Sequence, residues 1–378
     1  MTITIIKTYK IRLNPTSLQE SLMFQSAGTS RWAYNYALGR RIEYYKETGQ
    51  TLPEGEIRKE ITQLKKTEEY AWLNNVSAQI PKQAVKDCDS AYKRFFKKQS
   101  DFPKFKSKKK SKTSFYNDNV KFKVKNNSTV NIEKVGWVAT SEQLPLADKY
   151  SNPRIGYDHK YWYITVGVEE VVELGQLTTE SLGIDLGIKD LAIVSNGKVY
   201  KNINKSKEIK RLKKKLKRLE KKTSRKYTTN NKKLKGGENR YQKSNNIIKI
   251  EKEKQLIYRR LTNIRNNHIH QATSEIIKSK PRRIVMEDLN IKGMMKNKNL
   301  SKAIQEQKFY EFRRQIEYKC KWNGIEFVLA NRFFPSSKLC SECGCINKNL
   351  KLSDRTYKCD CGFELDRDLN ASINLSKY

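Results

Sequence analysis

Histidine is nearly absent from this sequence, which holds only His159, His268 and His270 among its 378 residues. None of the three stands close to the acidic motifs described below, so catalysis by a histidine acid or base is the weaker explanation for any activity. Apolar runs of membrane-spanning length and a signal peptide are also missing. We therefore expect a cytoplasmic protein.

Negative charge is in short supply as well. Only 40 acidic residues face 78 Lys and Arg, which leaves a formal net charge of +38. Such an excess repels itself in a compact chain unless a polyanion neutralises it. Because the basic residues are spread over every segment, nucleic acid is a better candidate partner than a membrane surface.

Cysteine is rare outside one short segment. Cys88 and Cys320 stand alone, whereas the other five lie between Cys340 and Cys361, a distribution unlike a secreted disulfide framework. The motifs CSECG and CDCG each place a glycine after their second cysteine, and glycine permits the tight turn that aims two sulfurs at one ion. This symmetry favours Cys343 over Cys345. The predicted ligands of a structural Zn²⁺ are Cys340, Cys343, Cys359 and Cys361.

The first 112 residues predict one strand followed by helices. MTITIIKTYKIRL, residues 1–13, alternates apolar and polar positions as a half-buried strand does. Asn14 is a candidate cap for a helix that starts at Pro15 and runs to Gly49. Further helical patterns and a lysine-rich run extend a predicted helical lobe over residues 14–112. The apolar positions of its first helix are Leu18, Leu22, Trp32, Tyr36 and Leu38.

Between residues 113 and 178 the apolar period changes from helical to two. The segment VKFKVK alternates Val120, Phe122 and Val124 with lysines, and RIGYDHKYWYITVGV has a hairpin turn at YDHK. We expect a small antiparallel barrel or sheet over residues 113–178, completed by the first strand of the chain. Its lysine face, including Lys121 and Lys123, is a candidate surface for phosphates.

The next region, residues 179–335, predicts an α/β domain that contains a basic helical hairpin. SLGIDLGIKDLAIV places Asp185 within an apolar strand, where a lone carboxylate is costly unless something compensates it. Between Lys205 and Lys226 a helical pattern carries 13 basic and 2 acidic residues, so we expect this helix to lie along a polyanion. Lys213 and Lys217 are its candidate contacts. Gly236 and Gly237 mark a break before the second helix.

Two further acidic motifs follow. IVMEDL ends a short apolar strand in Glu287 and Asp288, and DRDLNASINL opens a helix with Asp366 and Asp368. Singly these acids have ordinary structural explanations, such as capping a turn. Together with Asp185 they could bring three carboxylates to one edge of a sheet, as two Mg²⁺ ions require for phosphodiester cleavage. In the bare sequence either Asp366 or Asp368 could supply the third acid.

The motifs GIDLGIKDLAIV, IVMEDLNIKGM, FFPSSKLCSECG and CDCGFELDRDLNASINL, in this order, resemble the TnpB family of transposon-encoded RNA-guided nucleases. The resemblance is strongest over residues 180–378. It implies an α/β RuvC-type, RNase H-like nuclease domain with an inserted zinc ribbon over residues 336–362 and a last helix over residues 363–378. It also implies Asp185, Glu287 and Asp368 as ligands of two Mg²⁺ ions.

For the rest of the chain the same resemblance implies a recognition lobe and a wedge barrel that hold a guide RNA encoded at the same locus. These domains would read a short motif beside a double-stranded DNA target, and Gln79, Lys82 and Gln83 are candidate contacts on a recognition helix. The expected form is a monomer with its RNA, associated with the nucleoid when bound to DNA.

Two alternatives stay open at this stage. A miniature type V CRISPR effector would use the same chemistry, and the protein sequence does not separate it from a transposon-encoded nuclease. A guided DNA-binding repressor would not cut, but its usual mark is loss of catalytic acids, and all three acids are present here.

Overall fold

Strands and helices are described for residues 2–231, 243–351 and 354–378 in a computed structural model of the chain. The chain divides into two units, Thr4–Val171 and Val172–Tyr378, the second joined by the first few residues. Each unit has a hydrophobic core of its own. Among the described helices we find none with the length and apolar character needed to span a bilayer.

The first unit begins with strand β1 (Thr2–Asn14), followed by the helices α1 (Ser17–Thr48), α2 (Glu54–Leu64) and α3 (Gln79–Phe96). The predicted Asn14 cap is wrong, because β1 includes Asn14 and the cap of α1 is Thr16. The Thr16 hydroxyl accepts from the Gln19 N–H at 3.3 Å and Gln19 Oε1 accepts from the Thr16 N–H at 3.0 Å. This reciprocal capping box satisfies two N–H groups at the helix start, which no hydrogen bond within the helix could do. The predicted end at Gly49 is confirmed.

Small side chains let α1 and α3 approach closely. Ala33 and Ala37 of α1 are fully buried and share a core cluster with Ala84 and Cys88 of α3. Leu18, predicted to lie on the apolar face, is instead 72% exposed, because the buried face of α1 begins later in the helix.

Six further strands complete a seven-stranded sheet in the first unit. They are β2 (Thr113–Tyr116), β3 (Val124–Lys125), β4 (Thr129–Ile132), β5 (Gly136–Thr140), β6 (Tyr150–Tyr157) and β7 (Trp162–Glu173), in the order β2-β6-β7-β1-β5-β4-β3. The hairpin predicted at YDHK is confirmed, since β6 and β7 pair antiparallel around it. After β2, Asn117 Oδ1 accepts from the Glu133 N–H at 3.0 Å, so the two ends of the sheet curve towards each other. A closed barrel stays a prediction.

The strand predicted over VKFKVK is largely wrong. The Phe122 N–H donates to the Asp118 carbonyl at 2.9 Å, so the chain turns here and only Val124–Lys125 is extended. Phe122 is buried, but Val120 is 83% exposed instead of sharing its face. Alternation in sequence gives alternation in space only where the backbone is extended.

The second unit is built on a five-stranded sheet in the order β10-β9-β8-β11-β12. The strands β8, β9 and β10 pair antiparallel, whereas β11 runs parallel to both β8 and β12. Their bounds are β8 (Ser181–Leu186), β9 (Asp190–Val194), β10 (Val199–Lys201), β11 (Arg283–Glu287) and β12 (Glu326–Ala330).

Helices cover this sheet. The long helices α4 (Lys207–Asn231) and α5 (Asn245–Lys278) join through apolar residues including Ile209, Leu216 and Leu261, as the sequence predicts. The predicted break at Gly236 and Gly237 lies outside the described residues. The remaining elements are α6 (Ile291–Met294), α7 (Ser301–Gln307), α8 (Phe309–Asn323), the strands β13 (Thr356–Lys358) and β14 (Glu364–Asp366), and α9 (Arg367–Lys377).

The last helix, α9, lies directly on β8, the central strand of this sheet. A Cβ atom at Gly183 of β8 would lie 1.9 Å from the Ser372 carbonyl oxygen of α9, so only glycine permits this approach. Leu375 of α9 packs there with Val285 and Ala330. The packing brings the N-terminal turn of α9 towards the same edge of the sheet as the end of β8.

Candidate active site and zinc cluster

Two of the predicted acids lie side by side in the sheet of the second unit. Asp185 is the penultimate residue of β8, and Glu287 is the last residue of β11. Because Ile184 and Met286 are paired in the parallel register of these strands, the next residues, Asp185 and Glu287, are neighbours. An apolar strand thus delivers each carboxylate to the edge where α/β sheets place ligands.

The third acid comes from the first turn of α9. Asp368 is partly buried and lies 3.6 Å from Arg367 Nε and 4.0 Å from the Arg355 guanidinium. Asp366 is exposed and has a different task, because its carboxylate caps α9 by accepting from the N–H groups of Asp368 and Leu369 at 3.0 and 3.1 Å. The geometry therefore favours Asp368 over Asp366 as the third member of the acidic site.

Electrostatics couple these three carboxyls. Burial raises the pKa of Asp185 well above its usual value, and the negative charges of Asp368 and Glu287 raise it further. Burial, followed by the charge of Asp288, also raises the pKa of Glu287. An acid that is penalised for its own charge is stabilised by a bound cation, and a donor set made only of oxygen suits Mg²⁺.

Asp288, next to Glu287, is bound by two arginines that the sequence did not single out. Its carboxylate accepts from Arg332 at 2.7 Å and from Arg313 at 2.9 Å. These hydrogen bonds, Arg332 first, lower the pKa of Asp288. Asp288 therefore stays ionised beside Glu287 and ties the end of β11 to α8 and to the segment after β12. A basic residue directly before FFPSSK was the only hint of this contact in the sequence.

The four predicted cysteines come together in one cluster. The Sγ atoms of Cys340, Cys343, Cys359 and Cys361 all lie within 4.8 Å of one another. Two Sγ pairs are 3.8 and 3.5 Å apart, close to the roughly 3.8 Å expected between sulfurs that surround one Zn²⁺ tetrahedrally at about 2.3 Å. Over the described part of the chain, no other set of three Cys, His, Asp or Glu is so close. The cluster is suited to a structural zinc ion.

Backbone geometry explains why these cysteines converge. Gly344 and Gly362, which follow the second cysteine of each pair, have φ angles of 75° and 89°, a conformation that side chains disfavour. Cys345 stays outside the cluster and contributes its carbonyl, which accepts from the Cys340 N–H at 2.8 Å.

The thiols of the cluster differ in acidity. Burial alone would raise the pKa of Cys340, but N–H groups of Cys343 and Glu342 lower it to about 7. The Phe363 N–H lowers the pKa of Cys361, but the neighbouring sulfurs raise it to about 12. The Cys361 thiol therefore needs a nearby cation before it ionises, and a bound Zn²⁺ would supply that positive charge.

Two buried asparagines join the zinc cluster to the helix that carries Asp368. Asn370 accepts from the Ser341 N–H at 3.0 Å and donates to the Leu339 carbonyl at 2.7 Å. Asn374, one turn further along α9, donates to the carbonyls of Leu339 and Ser336 at 2.7 and 2.8 Å. Sequence reasoning missed this clamp, although both residues stand inside the DRDLNASINL motif.

The predicted nucleic-acid contacts fall into two groups. Three make contacts within the protein: Gln83 donates to Asp87 at 3.0 Å, Lys121 pairs with Glu133, and Lys213 pairs with Glu306 at 2.6 Å. Among the other four, Lys82, Lys123 and Lys217 are exposed, and Gln79 is half-buried in the first turn of α3. All seven stay predictions.

Family models match three parts of the chain: "Helix-turn-helix domain" over residues 1–50, "Probable transposase" over residues 164–298 and "Cas12f1-like, TNB domain" over residues 309–375. Despite the first of these names, residues 1–50 form β1 and the single long helix α1.

Curated relatives match over nearly the whole chain. The "Putative RNA-guided DNA endonuclease" of Streptomyces pristinaespiralis is 31% identical over 98% of this chain and 88% of its own length. A relative of the same description, InsQ of Escherichia coli K12, is 29% identical over 98% of this chain and 91% of its own. Among solved structures, Cas12f1 in an sgRNA–target DNA complex has a TM-score of 0.57 at 15% identity, covering 99% of both chains, and so shares the fold. The chain belongs to the TnpB family.

Proposed function

We propose that the protein is an RNA-guided DNA endonuclease of transposon origin that cuts DNA beside a short target-adjacent motif. Two relatives that match over most of their own length are described as putative RNA-guided DNA endonucleases, and the Cas12f1 structure with the same fold is a complex with sgRNA and target DNA. The strand order of the second unit, three antiparallel strands extended by two parallel ones, supports an RNase H-like, RuvC-type nuclease domain.

One observation carries the catalytic part of this proposal. Asp185, Glu287 and Asp368 are far apart in sequence, yet strand register and the packing of α9 on Gly183 bring them to one edge of the sheet. Burial first, and then the negative charges of Asp368 and Glu287, raise the pKa of Asp185. A protein gains no stability from such repulsion, so we assign these acids to binding a divalent cation.

Each acid then has a role that follows from its position. Asp185 from β8, Glu287 from the end of β11 and Asp368 from the first turn of α9 would each supply carboxylate oxygens to bound Mg²⁺. Bound Mg²⁺ supplies an activated water and neutralises charge on the leaving oxygen.

The zinc cluster has a supporting role in this proposal. Its loops hold α9 through Asn370 and Asn374, and α9 places Asp368. A zinc ion that orders residues 336–362 would therefore also fix the third acid. This module would guide the target strand towards the acids.

The first unit would hold the guide RNA and read the target-adjacent motif. The proposed division of the chain is a first barrel strand (1–13), a recognition lobe (14–112), a wedge barrel (113–178), a nuclease domain (179–335), a zinc module (336–362) and a last nuclease helix (363–378). Lys82 and Lys123 are exposed candidate contacts on this unit.

The test starts with the protein expressed together with its native flanking locus. We expect it to copurify with a discrete RNA that has a constant structured part and one variable end, and to cut a plasmid matching that end. Asp185→Ala should abolish cutting and leave the copurified RNA unchanged. RNA of random length would contradict guided recognition, and loss of RNA from Asp185→Ala would assign this acid to folding.

The CRISPR effector remains the second candidate, since the Cas12f1-like model covers the zinc module and the Cas12f1 of Sulfoacidibacillus thermotolerans is 33% identical over 25% of this chain. Repeats adjoining the gene would favour it. A repressor that does not cut finds no support, because the acidic site is complete.

A further inference from the structure

Two adjacent phenylalanines after β12 have opposite environments. Phe334 packs against the cluster of Val285, Ala330 and Leu375 on the sheet, and its ring meets the Tyr378 ring at 4.9 Å. Phe333 is 88% exposed, the most exposed of the large apolar side chains described. A lone exposed apolar residue is common in proteins and needs no explanation by itself.

The turn that exposes Phe333 is fixed by hydrogen bonds. Asn331 Oδ1 accepts from the Phe333 N–H at 2.9 Å, and the Asn331 carbonyl accepts from the Phe334 N–H at 2.9 Å. The Asn331 N–H in turn donates to the Tyr378 hydroxyl at 3.2 Å. With Phe334 anchored, these hydrogen bonds fix the backbone position from which the Phe333 side chain projects into solvent.

This turn adjoins the proposed nuclease site. Ala330, the last residue of β12, is the register partner of Glu287 in β11. Arg332, between Asn331 and Phe333, donates to the Asp288 carboxylate at 2.7 Å and to its carbonyl at 3.3 Å. The exposed Phe333 ring thus follows the register partner of Glu287 by three residues and stands directly after an arginine that binds Asp288.

We propose that Phe333 is a stacking platform for an unpaired nucleobase of the DNA strand that enters the nuclease site. The assignment rests on the proposed function, since a cut strand must reach Asp185 and Glu287. Aromatic rings beside positive charge are how proteins hold single-stranded nucleic acid without reading its sequence. A net charge of +38 also favours a nucleic acid over a protein partner for this ring.

The test uses the protein–RNA complex and DNA targets whose strands are unpaired around the cut, with one abasic nucleotide moved along them. In the wild type, the abasic nucleotide at one position should raise KM by roughly 5- to 100-fold, because one base–aromatic stack is lost there. Phe333→Ala should raise KM by the same factor on intact DNA, with little change in kcat, and should be insensitive to the abasic nucleotide at that position.

Matched variants separate stacking from folding. Phe333→Trp should keep both the low KM and the abasic-sensitive position, whereas Phe333→Leu, which keeps apolar bulk without an aromatic face, should behave as Phe333→Ala. Phe334→Leu should lower the Tm but leave the abasic profile in place. Phe333→Ala with wild-type KM, or with an unchanged abasic profile, overturns the proposal.

A binding experiment separates this proposal from the function on which it rests. It measures how the abasic nucleotide at each position changes DNA binding by the Asp185→Asn variant, with and without Phe333→Ala. Base-dependent binding that requires Phe333 supports the platform even where no guided cutting occurs. Guided cutting without any base-dependent contribution from Phe333 leaves the nuclease assignment intact and removes the platform.

Discussion

The two clusters of anionic side chains in the second unit are assembled in opposite ways. The four cysteines come from 22 residues of chain between Cys340 and Cys361, and local turns at two glycines bring their sulfurs together. The three acids come from β8, β11 and α9, and only sheet register and helix packing make them neighbours. Local geometry therefore builds the zinc cluster, while the whole domain builds the acidic site.

The surroundings of the two clusters differ in the same sense. Backbone N–H groups lower the pKa of Cys340 to about 7. Burial and like charge raise the pKa of Asp185. Backbone N–H groups thus help Cys340 to ionise, although neighbouring sulfurs oppose the ionisation of Cys361. At the acidic site, burial and like charge oppose the ionisation of Asp185 until a cation binds.

The strongest test of this difference is Asp185→Asn, which keeps the shape of the side chain and removes its charge. Cleavage should fall by more than about 100-fold, because even changes beside a metal ligand cost 10- to 100-fold. In Mg²⁺-free buffer at neutral pH the Tm should rise, because the raised pKa of Asp185 makes its ionised form unfavourable in the folded state. Calorimetry and a plasmid-cutting assay measure both effects.

The sign of the stability effect has its own control. A carboxyl with a raised pKa destabilises the folded protein increasingly as pH rises from its ordinary pKa to the raised pKa, and in full above the raised value. It has no such effect at low pH, where it is protonated in both states. The gain in Tm from Asp185→Asn should therefore vanish in acid. A lower Tm for Asp185→Asn at neutral pH would show that the acid stabilises the fold.

Removal of a zinc ligand is the next largest change. Cys340→Ser should release the zinc, whose binding contributes on the order of 10 kcal/mol to ordering such a segment, and should lower cleavage because Asp368 loses support. Hydrogen exchange should speed up in residues 336–362 and in the first turn of α9 but stay slow in β8 and β11. Cys345→Ser is the matched control and should keep its zinc. Equal zinc loss from Cys345→Ser would contradict the ligand assignment.

Sequence patterns predict the locally built parts well. The strands around Asp185, the apolar stripe joining α4 to α5 and the cysteine pairs all follow from short-range periodicity and spacing. The strand predicted at Val120 and the cap predicted at Asn14 fail because a turn hydrogen bond and a neighbouring capping box compete successfully with the pattern. Residue types alone do not reveal such competition.

Long-range contacts are where prediction from sequence stops. Arg313 and Arg332 meet Asp288 only after α8 and β12 are packed, and the clamp of Asn370 depends on the fold of the zinc loops. The sequence also left Asp366 and Asp368 equivalent. The structure distinguishes them at the start of α9. The carboxylate of Asp366 accepts hydrogen bonds from backbone N–H groups of the helix, which leaves Asp368 as the candidate metal ligand.

A smaller effect should come from removing the Asn370 hydrogen bonds that join α9 to the zinc loops, while the cysteines and the acids stay unchanged. Asn370→Ala leaves the buried Ser341 N–H and the Leu339 carbonyl without this side-chain partner, which costs about 1–3 kcal/mol. Cleavage should fall by roughly 10-fold, toward the lower end of effects seen around metal ligands, at an unchanged zinc content. Higher Mg²⁺ should restore part of the activity if the variant misplaces Asp368. Zinc loss from Asn370→Ala would mean that the clamp supports the cluster instead.

The smallest effect is expected at Asp366, and it decides which aspartate belongs to the acidic site. Asp366→Ser keeps an oxygen that can cap α9, so cleavage and Tm should both stay close to wild type. Asp366→Ala removes the cap and should cost about 1 kcal/mol of unfolding free energy while cleavage persists. Asp368→Ser should abolish cleavage with little change in the cap. If Asp366→Ser cuts no DNA and Asp368→Ser does, the assignments of the two residues must be exchanged. Serine keeps an oxygen that can cap the helix, but it cannot replace the carboxylate of a metal ligand.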